Sequence, residues 1–109
     1  MSRKKGHSLA LAVYAATQRF PADERFGLTQ QIRRAAVSIG SNIAEGAGRD
    51  SDADFARFLQ IAAGSTSEVE YQSLLARDLG YMDPATYEQL KIGAQEVRKM
   101  LYAFVQRLR

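Results

Sequence analysis

The chain divides by period into four amphipathic stretches separated by short polar breaks. Leu9, Val13, Ala16 and Phe20 recur at steps of four, three and four, which marks one apolar helical stripe. They predict a first helix from about Ser8 to Phe20, ended by Pro21, which biases its predecessor away from the helical region. After the turn Pro21-Ala22-Asp23-Glu24, residues Leu28, Ile32, Ala35, Ala36, Ile39 and Ile43 share a second face. Thr29 is its expected N-cap and Gly46, followed by Gly48, its expected stop. A third helix opens at Asp50-Ser51-Asp52, where Ser51 and Asp54 make a variant of the capping box. It runs to Leu79, with Gly80 at C′ and Tyr81 folding back on Leu75 or Ala76. The fourth begins at Asp83-Pro84, an N-cap followed by proline at N1. Tyr87, Leu90, Ala94, Val97, Leu101, Phe104 and Leu108 then form a heptad seam suited to near-parallel packing. No stretch alternates in the manner of a strand.

Four helices joined by short loops predict an all-α fold, an up-down-up-down antiparallel four-helix bundle. Residues 8–109 are expected to form that single domain, behind a basic flexible tail at 1–7. The third and fourth helices would each reach roughly 40 Å, longer than the first two. The overhanging apolar surface predicts self-association. On the third helix the expected core stripe is Phe58, Ile61, Ala62, Val69, Ala76 and Leu79. Leu59, Ala63 and Leu74 fall nearly opposite and would face a second copy.

Polar residues interrupt these stripes. Ser65 and Gln72 project into that of the third helix, and Glu68 flanks it. Arg34, Ser38, Ser41 and Glu45 line one face of the second helix, with Asn42 at its edge. One reading is a small buried site with Glu45 or Glu68 as base and Asn42 and Ser65 as binding groups. The other, which we take, is a hydrogen-bonded layer that sets helix register.

Composition removes most chemistry. The 109 residues contain no cysteine and one histidine, His7, which excludes disulfides, thiol nucleophiles and sites needing two imidazoles. Glu45-Gly46-Ala47-Gly48-Arg49 lacks the full phosphate-loop pattern, and neither Gly40-Ser41 nor Gly64-Ser65 extends to a nucleophile elbow. We therefore expect no catalytic residue, no metal, no cofactor and no enzymatic activity. No apolar run approaches the roughly 20 residues of a spanning helix, and no export signal is evident. A cytoplasmic protein without a membrane partner is the expectation.

Charge is more informative by segment than in total. A net +3 conceals −6 across residues 50–90, set against +3 at 1–7, +2 at 8–49 and +4 at 91–109. Lys91, Arg98 and Lys99, with Tyr102 among them, make a basic outer face on the fourth helix. With Arg3, Lys4 and Lys5 of the tail they form the candidate nucleic-acid-binding set. The same cations could instead meet the acidic third helix of a neighbouring subunit. Arg33 and Arg34 diverge by about 100° around their helix and are not expected to serve one flat surface.

The run Phe20-Pro21, Glu24, Gly27-Leu28-Thr29-x-Gln31-x-Arg33-Arg34-Ala35-Ala36-x-Ser38-Ile39 carries a family likeness. It continues through Ser41-Asn42-Ile43-Ala44-Glu45-Gly46 and Phe55-x-x-Phe58-Leu59-x-Ile61-Ala62-x-Gly64-Ser65-x-x-Glu68 to Leu79-Gly80-Tyr81. Over essentially residues 10–108 this resembles the bacterial 23S rRNA intervening-sequence protein family, also labelled S23 ribosomal protein. Its most specific segment is Ser38 to Gly46. Gly40 stands where many relatives have proline, and Val69-Glu70 replaces a commoner Leu-Glu. The resemblance implies a four-helix bundle in a homopentameric ring with no known enzymatic activity. It marks Asn42, Glu45, Ser65 and Glu68 as signature positions. Related accessory proteins of diversity-generating retroelements form basic pentamers that bind a reverse transcriptase and nucleic acid. The leading functional expectation is thus a non-enzymatic oligomer that binds RNA or DNA. The alternative is a protein-binding scaffold whose acidic and basic faces mediate self-assembly and docking of a partner protein, such as a reverse transcriptase.

Overall fold

The helix ends are set by side chains that supply missing backbone partners. In the computed structural model, which describes residues 2–109, α1 spans Ser2–Thr17, α2 Leu28–Ala47, α3 Asp52–Asp78 and α4 Pro84–Leu108. A single 3-10 turn at Ala22–Glu24 lies between α1 and α2, and there is no strand among the described residues. Ser51 Oγ accepts from the Asp54 amide at 3.1 Å, and Asp83 Oδ1 from the Thr86 amide at 2.7 Å, so both expected caps form. At the end of α3, Gly80 takes a φ of +82°, with its amide donating to Arg77 O and the Tyr81 amide to Ala76 O. That pair of bonds is the Schellman arrangement. Tyr81 packs on Phe20, with ring centroids 5.6 Å apart.

The start of α2 departs from expectation. Thr29 is already a buried helical residue whose hydroxyl finds no partner. The cap comes instead from Glu24, whose Oε1 accepts from the Leu28 amide at 3.0 Å while Oε2 accepts from the Tyr81 hydroxyl at 3.0 Å. The tyrosine's pKa is raised, first by that hydrogen bond, which holds the phenol as a donor.

The N-terminal segment differs too. Residues from Ser2 onward belong to α1, so the expected flexible tail is helical where it is described; Met1 lies outside the described residues. Gly6 is buried, and a Cβ there would sit 3.4 Å from Ile39 Cγ2. It extends the buried stripe Leu9, Val13, Thr17 and Phe20 by one turn.

The helices pack as an antiparallel bundle about 43 × 24 × 18 Å in extent. Helix α1 lies against α2 and α4, and α3 lies against the same two, while the diagonal pairs bring no Cα atoms within 8 Å of one another. Gly6 beside Ile39 and Ile43, Ser38 bonded to Ser65, Glu70 to Arg98 and Lys5 to Glu96 set the four registers. Val13, Ile32, Ile39, Leu59, Val69, Leu90, Val97 and Leu101 are fully enclosed apolar residues of its core.

The buried arc of α3 is Ala56, Leu59, Ala62, Ala63, Ser65, Thr66, Val69, Ser73 and Ala76, which corrects the expected stripe. Leu59 and Ala63 are core residues and cannot face a second copy, whereas Ile61 and Leu79 are exposed, at 43% and 50%. A helix wedged between two neighbours buries a wide arc, and small side chains let both approach. Gly46 is not the helix stop but the closest point of that approach. A Cβ there would fall 2.8 Å from Phe55 Cδ1 and 2.8 Å from Phe58 Cβ. The helix ends one residue later, at Ala47, with Gly48 as C-cap.

Gly46→Ala is therefore expected to lower stability by about 1–3 kcal/mol through overpacking. Gly64→Ala, where a Cβ meets nothing within 4 Å, should raise it by about 0.5–1 kcal/mol. Urea denaturation of the two variants checks the opposite signs. Capping Thr86 holds the Asp83 carboxyl below its ordinary pKa, so its contribution is complete above the unfolded value and is lost as pH falls through the folded one. Melting scans between neutral and strongly acid pH should show a shallower acid decline in Asp83→Asn.

Candidate functional site

Ser38 on α2 and Ser65 on α3 meet at mid-length, with their hydroxyls 2.9 Å apart. Asn42, one turn along α2, donates through Nδ2 to Ser38 O at 2.8 Å and Ser38 Oγ at 2.9 Å. Ser65 donates to Ile61 O at 3.4 Å. One consistent direction runs from Asn42 through Ser38 and Ser65 to a backbone carbonyl, so every hydroxyl both gives and receives. The layer thus brings together two of the four signature residues, Asn42 and Ser65. Glu45 and Glu68 are both exposed and form no ion pair or hydrogen bond among the described residues. No general base stands beside these hydroxyls, so the arrangement ties α2 to α3 and sets their register. Among the described residues, no group of three His, Cys, Asp or Glu side chains could hold a metal ion.

The basic face expected on α4 is largely committed within the chain. Arg98 pairs with Glu70 of α3 at 2.9 Å and donates to Ser67 Oγ at 3.3 Å, with both charged side chains about three-quarters buried. Gln95 also donates to Glu70, at 3.2 Å. Lys91 lies 3.9 Å from Glu88 and above the Tyr87 ring. From α1, Lys5 pairs with Glu96 at 2.8 Å; that hydrogen bond is the first cause of the low pKa of Glu96. Lys99 and Tyr102 remain exposed on α4, and Arg3 and Lys4 on α1. The structure thus splits the expected set rather than gathering it.

A second cationic face lies along the seam of α1 and α2, where two adjoining depressions of ≈ 900 and ≈ 610 Å³ share Tyr14 and Val37 as lining. Arg3, Lys4 and His7 line one; Arg25, Phe26, Arg33 and Arg34 line the other; no acid lines either. None of these arginines and lysines forms an ion pair among the described residues. Arg33 and Arg34 border the same depression despite their divergence, because the surface is concave and Arg33 leans across to α1. Its Nε donates to Thr17 Oγ1 at 2.8 Å and its guanidinium lies 4.6 Å from the Tyr14 ring centroid. One sequence signal could have drawn attention here. Phe26 belongs to no apolar stripe, yet sits between Arg25 and the start of α2.

An all-helical bundle with a polar seam and segregated surface charge is the class of protein that fold and surface define. The chain belongs to the 23S rRNA-intervening sequence protein family, whose model matches residues 2–103. It is similar to a solved structure of a protein with unknown function from the S23 ribosomal protein family of Bacteroides thetaiotaomicron VPI-5482. The two share 28% identity with a TM-score of 0.86, over 96% of this chain and 98% of that one. No curated protein matches the chain. No helix among the described residues is long and apolar enough to cross a membrane.

The Arg98–Glu70 pair provides a direct test of charge commitment within one chain. A double-mutant cycle with Arg98→Gln and Glu70→Gln should return a coupling of about 1 kcal/mol that diminishes with added salt. Chemical denaturation of the four proteins measures it.

Proposed function

We propose that this protein is a non-enzymatic, self-assembling binding protein that associates with nucleic acid, RNA foremost, through the cationic face of α1 and α2. The observation that carries the reading is the segregation of charge. Arg3, Lys4, Arg25, Arg33 and Arg34 border a seam lined by no carboxylate, whereas Arg98, Lys91 and Lys5 have acidic partners in the chain. Cations left without counter-charges attract a phosphate backbone and release its counterions on binding. Exposed Tyr14 and Phe26 add apolar ring surface beside them.

Self-assembly finds support in exposed apolar side chains away from that seam: Ile61, Tyr71 and Leu79 along α3, and Ile92 on α4. Two unlike apolar faces suit a head-to-tail contact, which closes into a ring when the rotation allows. A ring of five is the state the family resemblance implies.

A protein-docking scaffold is the second reading, favoured by the apolar floor that Leu11, Val37, Gly40 and Ala44 give the seam. The intrachain Arg98–Glu70 pair weakens the version in which α4 cations hold the next subunit.

Binding of structured RNA should weaken steeply with salt. Arg3, Lys4, Arg25 and Arg34 changed together to glutamine should lower affinity at least tenfold, and Lys91, Arg98 and Lys99 changed together should lower it less. Filter binding across a salt series makes both comparisons; affinity indifferent to salt would overturn the reading. Light scattering on the same preparations should give a mass several times that of one chain, and a monomer would overturn the assembly component.

A further inference from the structure

Among the described residues, Phe26 is the most exposed large apolar side chain, at 81%. It stands on an ordered turn. The Gly27 amide donates to Glu24 O at 3.0 Å, the Arg25 amide to Ala22 O at 3.1 Å, and the Glu24 carboxylate caps the next residue, Leu28. An apolar ring held out into water by a fixed backbone is available to a partner at little ordering cost. The Arg25 guanidinium lies 5.7 Å from its centroid. Farther along the same ≈ 610 Å³ depression come Gln30, Arg33 and Arg34. Arg33 is pre-positioned, because its Nε is held by Thr17 and its plane rests over Tyr14, which leaves its terminal nitrogens for an acceptor. Of the nearest acids in sequence, Glu24 is taken up by the Leu28 amide and the Tyr81 hydroxyl, and neither it nor Asp23 lines the depression.

Resting on the nucleic-acid reading above, we propose that this end of the α1–α2 seam binds single-stranded RNA, with an unpaired base stacked on Phe26. Arg25, Arg33 and Arg34 hold the flanking phosphates. A ring face beside cations suits a strand whose bases are unstacked, since every base has a face to offer and sequence matters little. A duplex keeps its bases stacked and presents only its backbone here. The seam therefore discriminates strandedness, not sequence.

The test uses the full chain and fluorescence anisotropy with labelled oligouridylate of about 12 nucleotides, against an RNA duplex of equal length. Phe26→Ala should weaken oligouridylate binding about tenfold and leave the duplex unchanged, while Phe26→Tyr retains wild-type affinity. Arg25→Gln with Arg34→Gln should weaken both RNAs and reduce the single-strand log–log salt slope by roughly 1.4. These positions are exposed, and circular dichroism verifies that the variants fold. If Phe26→Ala binds oligouridylate as wild type does, while the arginine variant weakens both RNAs, stacking is wrong and the nucleic-acid reading stands. Failure of the wild type to bind either RNA at low salt removes both. Displacement of the oligonucleotide by polyglutamate as effectively, charge for charge, as by unlabelled RNA also overturns the proposal, since the seam then takes acidic polypeptides equally.

Discussion

The close approach of α3 to both α2 and α4 is the constraint on which the other features depend. It is met by small side chains: alanines and hydroxyl residues fill most of the α3 arc, and Gly46 gives up its side chain to Phe55 and Phe58. Of the hydroxyls on that arc, Ser65 is partnered by Ser38, itself held by Asn42, across the α2–α3 interface, and Thr66 by Ala63 O, whereas Ser73 Oγ has no partner among the described residues. The polar layer is thus the consequence of packing two helices too closely for large apolar groups. The same geometry leaves Ile61, Tyr71 and Leu79 on the outside of α3, where they become surface rather than core.

Both ends of α3 and the start of α4 are legible in the residues alone, because caps act locally. Ser51, Asp83, Pro84 and Gly80 each do within a few positions what their chemistry requires. What depends on distant neighbours is less legible. Whether Leu59 or Ile61 is inside follows from where α4 sits, and a single-helix stripe carries no information about a second partner. Thr29 looks like a cap until Glu24 reaches across the turn. The first turns of α1 give no apolar signal, since Gly6 is buried by lacking a side chain. The polar layer can be anticipated, because Ser65 interrupts an otherwise apolar face of α3 while Ser38 and Asn42 lie on and beside the polar face of α2.

Charge follows the same division. The acidic and basic segments are visible by counting, but which charges are spent is a matter of three dimensions. Glu70 and Arg98 are far apart in sequence and adjacent in space. The partner of one arginine is thereby fixed, and attention moves from α4 to a seam where cations have only one another. A net charge says little until the intrachain pairs are removed from it.

Glu24 has a consequence for how the chain can vary. By bonding Leu28 on one side and Tyr81 on the other, it buckles the α1–α2 connection to the α3–α4 connection at the same end of the bundle. Neither connection can change length alone without unfastening the other. The opposite end carries the exposed turn at Gly48–Ser51, which among the described residues is clasped to no other connection. Insertions and fusions belong there, and the two ends of one small bundle evolve under different freedoms.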